Sequence, residues 1–195
     1  MNTKMKKNKT ILASSPRKRG TRKKLLDSRR RGNNKISVHI QMATIHSIVP
    51  SAALLKRWCR AALQQQKVKA ASICIRLVDS RESALLNKRY RSKSGATNVL
   101  SFPADVPKAL RSSVLQQDFQ QALLQELGDL VICAPVVARE ARAQCKTIQA
   151  HWAHMVVHGS LHLLGYDHIK KQDAVKMEAL EVKILAQLGY DNPYN

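Results

Sequence analysis

The segment His158-Gly-Ser-Leu-His162-Leu-Leu-Gly165-Tyr-Asp-His168 constrains this chain more than any other stretch. On a helix, His158 and His162 lie one turn apart on the same face. Gly165 follows three residues later and can end the helix, because glycine takes left-handed backbone angles without a Cβ penalty. The chain can then turn back and deliver His168 to the same point. Three imidazoles around one centre, with a fourth position open, describe a catalytic zinc site better than a structural one. Five of the seven histidines fall between His151 and His168, so the cluster is not a chance pair. His154 precedes His158 by four and shares its stripe, which makes it the competing third ligand. His168 is favoured, because the glycine turn then has a purpose; His154 is expected to orient a ligand or close the pocket. His151, near the helix start, is expected at the surface.

The spacing H-x3-H-x2-G-x2-H resembles that of the metzincin metallopeptidases, with one departure. There a Glu follows the first His and serves as general base. Here that position is Gly159. A metal hydrolase that does without this Glu is expected, rather than a peptidase.

The chain's charge speaks to its partners. Against 13 Asp and Glu stand 34 Lys and Arg, a net charge of +21 over 195 residues. Such an excess points to nucleic acid or another anionic surface. Residues 1–35 carry 14 of the basic residues and one acid, Asp27. This arm is poor in large apolar side chains and cannot order itself by burial. Its runs Arg17-Lys-Arg-Gly-Thr-Arg-Lys-Lys24 and Arg29-Arg-Arg31 suit phosphate neutralisation. An RNA-contacting tail is the favoured reading; a solvated tail and an Arg-rich organelle presequence stay open. Residues 36–195 form the folded domain. No run of 18 apolar residues exists, so no membrane partner is expected. Cys59, Cys74, Cys133 and Cys145 are widely spaced and read as small core residues of a reduced, cytoplasmic compartment.

Along the domain, Ile36–Ala43 alternates as a strand, and Pro50 opens a helical pattern to about Gln66 with Leu54, Leu55, Trp58 and Ala62 on one face. Ser72–Val78 reads as a strand, Arg81–Tyr90 as a helix capped by Asp79 and Ser80, and Asn98–Phe102 as a strand ended by Pro103. Residues 104–126 read as an inserted loop, helical around Val114–Leu124. Asp129–Cys133 reads as a strand, Pro135 to about Cys145 as a helix, Ala150–Leu164 as the metal helix. Ile169–Leu188 is an amphipathic helix with Met177, Leu180, Ile184, Leu185 and Leu188 inward. The fold class is α/β (α+β): a mixed sheet of about four strands with about five helices.

A second polar cluster, Leu86-Asn-Lys-Arg-Tyr-Arg-Ser-Lys93 and Thr97-Asn-Val-Leu-Ser-Phe-Pro103, is richer in hydrogen-bonding groups than a simple element join requires. Arg91 presents the planar fork that suits a phosphate. Lys88, Arg89 and Lys93 are expected to be a solvated helix end. Together with Leu127-Gly-Asp-Leu-Val-Ile-Cys133 and Ala150-His-Trp-Ala-His-Met-Val-Val-His158, these segments resemble the YbeY family of single-strand-specific endoribonucleases over residues 36–195. The resemblance implies one zinc ion per chain on His158, His162 and His168, and a functional Arg91. It further implies small-subunit (16S) rRNA 3′-end maturation, ribosome quality control, and single-stranded rRNA and the ribosome or its small subunit as partners. Ser94 and Ala96 stand where the family often has an acid and a Pro, and Ile169-Lys-Lys-Gln-Asp173 is basic where acids are usual. The rival expectation is a non-catalytic, zinc-stabilised rRNA-binding assembly factor; a metallopeptidase comes third, weakened by Gly159. Tyr166 is expected to pack, and Asp167 either to support a ligand or to serve the turn, not to be a fourth ligand.

Overall fold

A computed structural model describes residues 35–46, 48–105 and 126–195. In chain order the elements are β1 (Lys35–Ala43), α1 (Ala52–Gln65), β2 (Ala70–Val78), α2 (Ser80–Arg91), β3 (Val99–Pro103), β4 (Glu126–Cys133), α3 (Ala134–Ala143), α4 (Ile148–Leu163) and α5 (Lys171–Leu188). The four strands form one sheet in the order β1-β2-β4-β3. β1, β2 and β4 run parallel, and β3 pairs antiparallel with β4 at the edge. A parallel pair needs a long crossover, and α1 provides it between β1 and β2. The expected α/β class, with four strands and five helices among the described residues, is borne out. The segment expected to be helical around Val114–Leu124 and nearly all of the 1–35 arm lie outside the described residues.

Strand residues alternate between one buried face and a second that is buried only over parts of β2, β3 and β4 and is open along β1. Ile73, Ile75 and Leu77 of β2 and Leu130 and Ile132 of β4 join the main core with Leu55, Trp58, Leu63, Trp152, Val156 and Ile184. Their neighbours Val78, Val131 and Cys133 turn to a smaller cluster with Leu100 and Val136, bordered by Leu86 and Phe102. Burial on both faces explains why β4 reads as a continuous apolar run.

Several element ends differ from expectation for local reasons. α1 begins after Pro50, because Ser51 is its cap: the hydroxyl accepts the Leu54 N–H at 3.4 Å. Thr147 caps α4 in the same way, accepting from the Ala150 N–H at 3.2 Å, so this helix starts at Ile148. Asp79 makes no side-chain cap bond to α2 and instead accepts from the Thr44 hydroxyl. β4 starts earlier than Asp129 and contains Gly128. The register shifts there, Ser72 facing Glu126 and Ile73 facing Gly128, which marks a bulge. Gly128 has φ +122°, and a Cβ would collide with the Phe102 carbonyl on β3. Only glycine lets β3 approach this closely, and β3 carries Ser101 to the site.

Candidate metal centre

α4 supplies the first two imidazoles, and its seat on the sheet decides where they point. Trp152, Ala153, Val156, Val157 and Leu161 are buried. At Gly159 the helix backbone rests on the sheet: a Cβ would stand 3.0 Å from Leu130 Cδ2 and 3.1 Å from Val99 Cγ2. The Ser101 hydroxyl donates to the Gly159 carbonyl at 3.3 Å. His158 and His162 lie on a different face and remain partly exposed.

The turn after α4 returns the chain. Gly165, at φ +89°, closes a Schellman motif: its N–H donates to the His162 carbonyl at 3.0 Å, and the Tyr166 N–H donates to the Leu161 carbonyl at 3.1 Å. The Tyr166 hydroxyl donates to Gln66 Oε1 at 2.8 Å, so this ring packs as expected. Asp167 serves the turn, its carboxylate accepting the His168 N–H at 2.7 Å. His168 thereby comes back to the helix face.

The ring nitrogens of His158, His162 and His168 lie within 4.8 Å of one another. His158 Nε2 and His162 Nε2 are 3.1 Å apart, and ring centroids are 5.4 Å between His158 and His168 and 5.0 Å between His162 and His168. Two nitrogens each about 2.0–2.1 Å from a tetrahedral zinc ion stand roughly 3.3 Å apart, so the pair on α4 has the spacing of shared ligands. Burial, and then the neighbouring His158 and His168, lower the His162 pKa to about 4. Its imidazole is neutral at pH 7, the form that binds a cation. The donor set fits a metal ion, and the chain carries a histidine cluster able to hold one.

His154 is not in this cluster. Its Nε2 stands 3.0 Å from Glu181 Oε2, behind His158. Glu181 Oε1 is 2.8 Å from His158 Nδ1. Burial alone would raise the Glu181 carboxyl; hydrogen bonds from His154 and His158 outweigh it and bring its pKa down to about 2. Glu181 is absent from the apolar stripe expected for α5, although an acid spaced four from Met177 and three and four from Ile184 and Leu185 is a sequence signal for it. His151 requires a correction. It is 2% exposed rather than at the surface, with Nε2 3.0 Å from Glu140 Oε2. α4 begins earlier than expected, and this position faces inward toward α3.

In front of the histidines a cavity of about 500 Å³ is lined by Arg91, Lys93, Ser101, His162, Asp167 and His168, among others. Arg91 ends α2, and Ser92, left-handed at φ 53°, turns the chain so that Lys93 follows it into the lining. Lys93 is thus a cavity residue, not simply a solvated helix end, because that turn redirects it. Arg89 lies over the Tyr90 ring, 5.3 Å from its centroid. Thr97 and Asn98 hold the entry of β3: Thr97 exchanges two bonds with the Ser83 hydroxyl, at 2.8 and 3.0 Å, and Asn98 donates to Glu140 at 3.1 Å. Cys59 and Cys133 are buried as expected; Cys74 is intermediate and Cys145 exposed.

The family model described as Endoribonuclease YbeY matches residues 35–189. This chain belongs to the YbeY family. An Endoribonuclease YbeY of Nitrosococcus oceani is 54% identical over 159 residues, covering 82% of this chain and 97% of that one. A relative of the same name from Pseudomonas entomophila is 51% identical, covering 82% and 93%. A solution structure of a Thermotoga maritima protein is similar with a TM-score of 0.48 and 21% identity, over 77% of this chain and 91% of that one. YbeY membership makes the chain a hydrolytic endoribonuclease with RNA as its substrate. Among the described residues no helix is long and apolar enough to cross a membrane.

The YbeY helix packing also answers the peptidase reading. A side chain at position 159 meets Leu130 and Val99 rather than the cavity. Gly159→Glu is therefore expected to lower stability by about 3 kcal/mol or more, through overpacking and a buried carboxylate. It should confer no peptide hydrolysis. Thermal melts and a peptide-cleavage assay check both halves.

Proposed function

We propose that this chain is a zinc-dependent endoribonuclease specific for single-stranded RNA, acting in small-subunit rRNA 3′-end maturation and ribosome quality control. It carries one zinc ion on His158, His162 and His168, with Arg91 as the catalytic cation. Residues 36–195 are the catalytic domain, and residues 1–35 are an arm that contacts RNA. The protein works in the cytoplasm in association with the ribosome or its small subunit.

The observation that supports this reading most is the shared cavity of Arg91, His162 and His168. A purely structural metal site has no need of an open side, and still less of one lined with cations. When bound, zinc supplies Lewis acidity and lowers the pKa of a water molecule. Arg91 offers parallel N–H donors to a phosphate and offsets the charge that grows on it in the transition state. Lys93 adds a positive point charge for a flanking phosphate. Ser101 lines the same cavity, with its hydroxyl proton donated to the Gly159 carbonyl. Unpaired nucleotides can splay their backbone into such a cavity, whereas a duplex keeps its phosphates on a stiff helical path.

Metal-loaded protein should cut single-stranded RNA and spare the matching duplex. No cleavage of either would favour the non-catalytic assembly factor, and equal cleavage of both would defeat strand specificity. Deleting residues 1–35 should leave cleavage at saturating RNA intact. RNA binding should weaken and its salt dependence become shallower, since fewer counterions are released. An unchanged salt slope would remove the arm from RNA contact, and removal of the arm during organelle import would make it a presequence.

A further inference from the structure

Glu181 sits in the middle of α5 and is fully buried. None of the chemistry above uses it. An ionised carboxylate out of water is costly unless it is well paired, and an apolar residue of similar volume often does as well for stability. The positions around it, Met177, Ile184 and Leu185, are apolar and buried. Its partners show another purpose. His158 Nδ1 lies 2.8 Å from one carboxylate oxygen, and His154 Nε2 lies 3.0 Å from the other. The Tyr194 hydroxyl donates to that second oxygen as well. Tyr194 belongs to the tail after α5, which is also held by Lys146 donating to the Pro193 carbonyl.

A carboxylate only accepts, so His158 must donate from Nδ1. That fixes the tautomer: the Nε2 lone pair is then free, and it faces His162 Nε2 at 3.1 Å. We propose that Glu181 is a positioning residue for the metal ligand His158, and that Tyr194 holds Glu181 in place, so that the tail following α5 is a working part of the metal centre. This rests on His158, His162 and His168 being the ligand set. His154, His158 and Glu181 also lie within 4.8 Å of one another. A cation placed there would have to break the hydrogen bonds that hold His158, so these residues act as a support and not as a second metal site.

The test uses the full chain. Zinc affinity is measured by competition with a chromophoric chelator, and the Co(II)-loaded protein supplies a visible ligand-field spectrum. Glu181→Gln keeps the volume and removes the charge. It should weaken metal binding about 10- to 100-fold and alter the Co(II) bands, with helix content unchanged in the apo protein. Tyr194→Phe should act in the same direction by about fivefold, the worth of one hydrogen bond. Tyr194 is 48% exposed, so this variant carries the test even where Glu181→Gln does not fold. Wild-type affinity and Co(II) spectrum in both variants, with His162→Ala losing metal, would overturn the proposal alone. Two metal ions per wild-type chain, one of them lost in Glu181→Gln, would overturn it by making Glu181 a ligand. Unchanged metal binding in His162→Ala would bring down the ligand set itself.

Discussion

His162→Ala is expected to lose its metal on dialysis and to lose RNA cleavage with it. Disturbing a residue that merely supports a ligand costs about 10- to 100-fold in affinity, and removing one of three protein ligands should exceed that. His162 stands on the partly exposed face of α4, so its loss leaves the packing of Trp152, Val156 and Leu161 untouched. Metal analysis after dialysis and a single-turnover cleavage rate measure the two effects. His154→Ala should retain far more metal, because His154 touches Glu181 and not the three-imidazole cluster. Stoichiometric metal in His162→Ala, with full loss in His154→Ala, would mean that the ion sits on the other side of His158.

Arg91→Ala is expected to cut the cleavage rate by roughly a hundred- to a thousandfold, the usual cost of removing a charge-assisted donor aimed at a transition state. Metal content and melting temperature should not change, because Arg91 is an exposed residue at the end of α2. The loss should fall on kcat more than on KM if the contact strengthens as charge develops. Arg91→Lys should recover only part of the rate, since an ammonium group lacks the planar fork. A wild-type rate in Arg91→Ala would leave Lys93 as the cation that matters.

The gathering of the three histidines was legible because its signal is local. A helical spacing of four, a glycine that can go left-handed and a third histidine lie within eleven residues, and short-range geometry alone closes them. Strand and helix types were legible for the same reason, each from its own period. Polar residues whose partners come from distant elements were not. His151 is buried because Glu140 on α3 meets it, and Glu181 because His154 and His158 come to it from α4. Nothing near either residue in sequence announces those partners. Lys93 needed the left-handed turn at Ser92, a conformation that a serine does not advertise. The early part of β4 was hidden by Gly128, which weakens a strand pattern and here marks the bulge that admits β3.

The seat of α4 at Gly159 reaches beyond packing. Successive residues on a helix are about 100° apart. Position 159 lies on the sheet side of α4, where a Cβ stands 3.0 Å from Leu130 Cδ2 and 3.1 Å from Val99 Cγ2, so a longer side chain there has no open path to the cavity. A histidine spacing shared with peptidases thus does not bring peptidase chemistry with it. The barrier between the two is the packing of α4 on the sheet, which closes off the side from which a base at 159 would have to act.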